Sequence, residues 1–233
     1  MSMPPLALLA GGRATRLGAL TETIPKSMLE VADEPFIAHQ LRLLARQGVC
    51  DIVLCTGFLS DAIEAFVGDG TRFGVRVRCS KDSAAPMGTG GAVKQALPLL
   101  GERFFVMYGD SYLPMDFALV AQAFRREGLM TVFRNEGKWD SSNVRFEEGE
   151  ILSYDKRART DAMRHIDYGL GIFAASAFDG FKDGTNFDLA EVYQALLKRG
   201  ALAGYEVTQR FYEIGSPEGL AETAAMLTAL STI

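Results

Sequence analysis

Strand and helix patterns alternate through the first half of this chain, and that alternation limits the possible folds more than any other feature. Residues 6–10 (LALLA) form a continuous apolar run of strand length. Phe36, Ile37, Leu41 and Leu44 then recur at helical spacing, and Gly48 ends that helix. Asp51–Thr56 (DIVLCT) reads as a strand, residues 61–66 as a short helix and residues 75–80 as an alternating strand. A helix over residues 91–100 and an apolar strand over 104–108 complete the series. This order predicts parallel β-α-β units with right-handed crossovers. An open sheet of that kind places its ligand outside the carboxyl ends of the strands. The loops after Ala10, Ser80, Tyr108 and Asp155 are therefore the places to look for chemistry.

The second half changes character. Residues 143–146 and 150–154 flank Glu147-Glu148-Gly149, a turn signal for a β-hairpin. Residues 169–174 (GLGIFA) read as a further strand. Asp188 with Glu191 three residues later predicts a capping box, and Ser216-Pro217 opens a last helix. No repeat or linker interrupts the 233 residues, so one domain is expected over 1–233.

Bulk properties exclude several classes. The net charge of −5, from 24 basic and 29 acidic residues, is a poor match for a nucleic-acid binder. No stretch reaches the roughly 18 apolar residues of a membrane span. Residues 1–5 lack a basic region, so no secretory signal is expected. Cys50, Cys55 and Cys79 are odd in number and form no C-x-x-C pair, which points to the reducing cytoplasm.

The first strand runs into Leu9-Ala10-Gly11-Gly12-Arg13-Ala14-Thr15-Arg16. Adjacent glycines after a buried strand let the backbone approach a ligand, and their N–H groups can bind phosphate oxygens. Arg16 adds a planar fork of donors, and Pro25-Lys26 supplies a second positive charge on a stiff turn. The loop fits neither G-x-G-x-x-G nor the P-loop pattern.

The gapped string Gly11-Gly12-x-x-Thr15-Arg16 followed by Pro25-Lys26 resembles the signature of the sugar-1-phosphate nucleotidyltransferase (nucleotide-sugar pyrophosphorylase) family. Ala14 stands where that family usually has glycine. Further pieces follow in the family's order over almost the whole chain. The resemblance implies a Rossmann-like three-layer α/β/α fold, with a mostly parallel central sheet and an inserted β-hairpin. It implies a nucleotide half over about residues 1–115 and a sugar-phosphate half over about 116–233. By the same match Arg16 would hold the β- and γ-phosphates and Lys26 the α-phosphate, and Leu9, Ala10, Gly11, Gly12 and Arg13 would bind the nucleotide. The loop with Met87, Gly88 and Thr89 would read the base. Asp110, at the end of an apolar strand, would bind Mg²⁺. The second Mg²⁺ ligand would be Glu213, where the family normally has aspartate. Asn143, Asp155, Lys156, Asp167 and Gly169 would bind the sugar phosphate.

The expected reaction joins a sugar 1-phosphate to a nucleoside triphosphate and releases pyrophosphate. No nucleophile–base arrangement suggests a covalent enzyme intermediate. Arg16, Lys26, Lys156 and Mg²⁺ would cancel the repulsion between two anionic substrates. Met87-Gly88-Thr89-Gly90-Gly91-Ala92 resembles the base loop of heptose-1-phosphate guanylyltransferases, and small residues there would leave room for a purine. GTP with heptose or mannose 1-phosphate is the expected pair, and UTP or CTP with glucose 1-phosphate the alternative. An inactive nucleotide-sugar sensor and a nicotinamide-dependent oxidoreductase are the rivals from other classes. No C-terminal β-helix is expected within 233 residues, and a homo-oligomer is compatible with the family.

Overall fold

Alternate residues of the first strand belong to two different cores. The computed structural model describes residues 3–12, 24–57, 59–82 and 86–231. In β1 (Leu6–Leu9), Leu6 and Leu8 pack with Ile37, Leu41 and Leu44 of α1 (Phe36–Arg46) and Ile63 and Val67 of α2 (Ser60–Val67). Phe117 and Val120 of α4 (Phe117–Ala123) join the same core. Ala7 instead faces Val93 and Ala96 of α3 (Gly88–Leu100) and the core built on Val192 and Leu196 of α5 (Leu189–Lys198). The period of two along the strand thus fills both faces of the sheet, giving three layers.

Among the described residues the sheet has nine strands. Its first part runs β6 (Arg103–Tyr108), β1, β4 (Asp51–Thr56), β5 (Arg76–Lys81), all parallel. Beyond β6 lies β11 (His165–Ala174), antiparallel to β6. It pairs in turn with β8 (Gly128–Arg134), and β12 (Leu202–Val207) runs parallel to β8. The hairpin β9 (Val144–Glu147) and β10 (Glu150–Tyr154) attaches at His165. Only β10 and β11 run against the direction of the others, so the sheet is mostly parallel. The hairpin turn holds Glu148 (φ 50°) and Gly149 (φ 84°), the two positive values a two-residue primed turn requires.

Local signals account for most boundaries. Asp188 and Glu191 form the reciprocal capping box at the start of α5. Ser216 Oγ accepts from Gly219 N over 3.0 Å at the head of α6 (Pro217–Ser231). Leu227 of α6 packs with Phe36, Leu43, Tyr112 and Ile214 in a third, smaller core. Two short ladders complete the chain: β2 (Glu30–Val31) with β3 (Glu34–Pro35), and β7 (Ser111–Tyr112) with β13 (Tyr212–Glu213). Strand β11 begins four residues before the expected 169. Its register on β8 shifts between Asp167 and Gly171, and this bulge hides the alternation in the sequence. No helix among the described residues is long and apolar enough to cross a membrane.

Candidate active site

The carboxyl ends of β1, β4, β5 and β6 meet around a cavity of about 560 Å³. Leu9, Ala10, Gly11 and Gly12 line it from β1, as expected. The strand ends approach closely: a Cβ on Gly11 would stand 3.0 Å from Gly57 N, and one on Gly109 would overlap the Leu9 carbonyl oxygen. Arg13 and Arg16 lie outside the described residues, as do Ala14 and Thr15.

Lys26 and Asp110 face each other across the cavity mouth. Lys26 opens a short 3-10 turn after Pro25, and Asp110 follows β6. Lys26 Nζ lies 2.6 Å from Asp110 Oδ2. The turn carrying Asp110 is held from three sides. Gln40, fully buried on α1, donates through Nε2 to the Ser111 carbonyl (2.8 Å) and more weakly to the Tyr108 carbonyl (3.3 Å). Ile214 N donates to the Asp110 carbonyl over 3.0 Å. The β7–β13 ladder sets Glu213 opposite Ser111, next door to Asp110. The structure therefore brings together carboxylates 103 positions apart in the sequence.

The two carboxylates are not equivalent. Among the described residues Asp110 Oδ1 has one weak donor, Ser111 Oγ at 3.3 Å. Glu213 Oε1 accepts from Ser216 Oγ at 2.7 Å, and Oε2 accepts from Gly215 N. Glu213 thus also serves the N-terminus of α6. Glu213 Oε2, Lys26 Nζ and Asp110 Oδ2 all lie within 3.6 Å of the point where a Cβ on Gly215 would stand. Only glycine leaves that space open. Among the described residues no group of three His, Cys, Asp or Glu could hold a metal. Two hard carboxylates completed by phosphate oxygens and water fit Mg²⁺.

In the loop over residues 86–91 the glycines let another segment of the chain approach closely. A Cβ on Gly88 (φ +71°) would overlap the Phe187 carbonyl, one on Gly90 the Phe187 ring, and one on Gly91 would sit 2.6 Å from the Thr185 carbonyl oxygen. Gly90 N donates to Phe187 O over 3.0 Å, and Phe187 N to Met87 O over 3.1 Å. Thr89 Oγ1 accepts from Leu189 N (2.8 Å) and so caps α5. Gly88 and Thr89 still line the cavity, whereas the Met87 side chain is buried in the interior. The glycine spacing by itself therefore carries no preference for a purine.

The residues expected to bind the sugar phosphate lie beside β6 and β11. Lys156 Nζ reaches Tyr108 Oη at 3.4 Å, and Tyr108 lines the cavity. Asp167 is half-buried. Burial raises its carboxyl pKa, and Lys156 and the Gly169 N–H pull it back. Gly169 (φ +99°) sits in the β11 bulge, where a Cβ would stand 3.4 Å from Ser111 Oγ. Asn143 is buried, and its Oδ1 accepts from Asp167 N at 3.0 Å, so its side chain supports β11. Asp155 Oδ1 accepts from Arg157 N (2.7 Å) and Ala158 N (2.8 Å), which lowers its pKa and shapes the turn that carries Lys156.

Sequence reasoning passed over Asp82, Ser27, Gln40 and Tyr108. Asp82 lies one residue past β5 and lines the cavity, with its carboxylate beside Gly57. Burial raises its pKa, and the Met87 N–H opposes that. An acid directly after a strand is the same signal that exposed Asp110, so Asp82 was findable. Ser27 and Gln40 carry no comparable mark.

The chain belongs to the Nucleotidyl transferase family, which it matches over residues 7–228. It is an enzyme of the sugar-1-phosphate nucleotidyltransferase class. It is 31% identical, over 95% of its length and 97% of the relative's, to the N-acetylmuramate alpha-1-phosphate uridylyltransferase of Neisseria meningitidis serogroup B. It is 24% identical to the D-glycero-alpha-D-manno-heptose 1-phosphate guanylyltransferase of Campylobacter jejuni, over 91% and 94% of the two chains. A mannose-1-phosphate guanyltransferase of Xenopus laevis is 26% identical, but the match spans 61% of its length. Among solved structures, HddC of Yersinia pseudotuberculosis complexed with GMP-PN superposes with a TM-score of 0.80 at 22% identity, covering 97% of this chain and all of that one.

Proposed function

We propose that this chain transfers a uridylyl group from UTP to an N-acetylmuramate-type sugar 1-phosphate, with Mg²⁺, and releases pyrophosphate. The observation that carries the choice of substrates is the 31% identity over nearly the full length of a uridylyltransferase. Asp82 lines the cavity, and its carboxylate would accept a hydrogen bond from a base N–H, of uracil or of guanine alike. A second reading keeps GTP with a heptose or mannose 1-phosphate. It rests on the full-length likeness to a heptose 1-phosphate guanylyltransferase.

In either case the roles are the same. Gly11 and Gly12 offer backbone N–H groups to the triphosphate. Lys26, poised 2.6 Å from Asp110, neutralises charge on the transferring phosphoryl group. Asp110 and Glu213 would hold Mg²⁺, which supplies Lewis-acid charge at the phosphates. Lys156 binds the phosphate of the sugar. A phosphate oxygen of the sugar 1-phosphate attacks the α-phosphorus in line. One P–O bond forms, the bond to the β-phosphate bridge breaks, and pyrophosphate leaves. Positioning and electrostatics then carry the rate. The setting we infer is the reducing cytoplasm, as the cysteine pattern of the sequence implies.

The test is a matrix of UTP, GTP, CTP, ATP and dTTP against N-acetylmuramate, heptose, mannose and glucose 1-phosphates, read by pyrophosphate release. The highest kcat/KM is expected for UTP with N-acetylmuramate 1-phosphate. A clear preference for GTP with heptose or mannose 1-phosphate would replace this reading with the second.

A further inference from the structure

Lys156 has to hold a flexible ammonium at one place, and the turn that carries it cannot do this alone. Asp155 Oδ1 gathers the N–H groups of residues 157 and 158 and fixes the backbone there. The four-carbon stem beyond remains free to rotate unless its end is held. The end is met by Tyr108 in two ways. Lys156 Nζ donates to Tyr108 Oη at 3.4 Å, and it lies 5.3 Å from the centroid of the same ring. Asp188 Oδ1 is further off, at 3.9 Å, and already caps α5 through Ala190 N.

Tyr108 is itself well anchored. It ends β6, two residues before Asp110, so it belongs to the wall of the nucleotide cavity. Its carbonyl accepts from Gln40. Its ring packs beside Gly169, where a Cβ would stand 3.6 Å from Cδ2. A neutral hydroxyl and a ring face can orient a cation without neutralising it. A carboxylate in the same place would compete with phosphate for the ammonium.

We propose that Tyr108 is a positioning residue that holds the Lys156 ammonium at the seam between the nucleotide cavity and the sugar side, ready for the sugar phosphate. This rests on the reading of Lys156 as the sugar-phosphate ligand. The experiment is a double-mutant cycle of Tyr108→Phe and Lys156→Met, with Tyr108→Leu added, read by KM for the sugar 1-phosphate, KM for the nucleotide, kcat and Tm. Lys156→Met is expected to raise the sugar KM at least about tenfold, the loss of a charge-assisted contact. Tyr108→Phe keeps the ring and loses the hydroxyl, and should raise the sugar KM about threefold with nucleotide KM unchanged. Tyr108→Leu loses both and should raise it about tenfold. In the Lys156→Met background neither Tyr108 substitution should add anything. If Lys156→Met leaves the sugar KM unchanged, the reading of Lys156 fails and the proposal fails with it. If Lys156→Met is impaired but Tyr108→Phe matches wild type, or the Tyr108 effects persist undiminished without Lys156, the proposal alone is overturned.

Discussion

Strands β1, β4, β5 and β6 run in one direction, whereas β11 runs against its neighbours β6, β8 and β9. The two regions build their sides of the active site differently. In the parallel region every strand delivers its carboxyl end to the same edge. A glycine or acid just after an apolar run therefore lands in the cavity, as Gly11, Gly57, Asp82 and Asp110 do. In the antiparallel region the site residues come from a bulge (Gly169) and from the turn after a hairpin (Lys156). Their place depends on pairings between distant segments. The nucleotide side should thus be a rigid cradle, and the sugar side a set of side chains that need mutual support.

Substitutions can break or sharpen this contrast. The largest effect is expected for Asp110→Ala, which removes the less encumbered of the two carboxylates. Turnover should fall roughly 10³-fold while Tm and nucleotide binding change little. Steady-state kinetics and a thermal melt check this, and retention of most of the activity would exclude Asp110 as the metal carboxylate. Lys26→Ala should lower kcat by about 10²-fold. If only nucleotide KM rose and kcat held, Lys26 would be a binding residue without a role in the transition state.

Glu213 offers a finer distinction, because it serves both Asp110's surroundings and the head of α6. Glu213→Gln keeps the hydrogen-bond shape and loses charge, and should lower activity about tenfold, the low end for groups that orient a metal site. Glu213→Asp should keep more activity but lower Tm, since the shorter side chain leaves Ser216 and Gly215 less well met. Equal kinetics in the three proteins would make Glu213 a helix-capping residue only. Gly90→Val addresses the loop packing. Its side chain would collide with the Phe187 ring, costing about 1–3 kcal/mol of stability. A melt unchanged from wild type would contradict that packing.

Asp82→Asn should have the smallest effect, and it has a sign. Burial raises the Asp82 pKa in the folded chain. A carboxyl with a raised folded pKa stabilises the fold in its protonated form, and that contribution is lost as pH rises through the folded value. The Tm advantage of Asp82→Asn over wild type should therefore grow as pH rises upward from the ordinary carboxylate value of about 4. A difference independent of pH would remove burial of the charge as the cause.

How much was legible in the sequence follows the same division. The strand ends, the capping box at Asp188, the hairpin turn at Gly149 and the helix start at Ser216 were all local signals, and the fold honours them. The proximity of Glu213 to Asp110 depends on a two-residue ladder that leaves no periodic trace. The β11 bulge conceals where that strand begins. Gly88, Gly90 and Gly91 show where composition stops being a guide. A glycine-rich loop signals close approach, but the sequence does not say whether a ligand or another segment of the chain approaches. Here the neighbour is Phe187, nearly 100 residues away along the chain.

The most direct test is whether the purified chain releases pyrophosphate only when both substrates are present. With UTP, Mg²⁺ and N-acetylmuramate 1-phosphate, one pyrophosphate should appear for each nucleotide-sugar formed. Omission of the sugar phosphate should abolish release, and so should Asp110→Ala. GTP with heptose or mannose 1-phosphate provides the same stoichiometric test for the second choice of substrates. Nucleotide binding without pyrophosphate release, across every base and sugar phosphate offered, would contradict catalysis and leave a nucleotide-sugar sensor on the same fold.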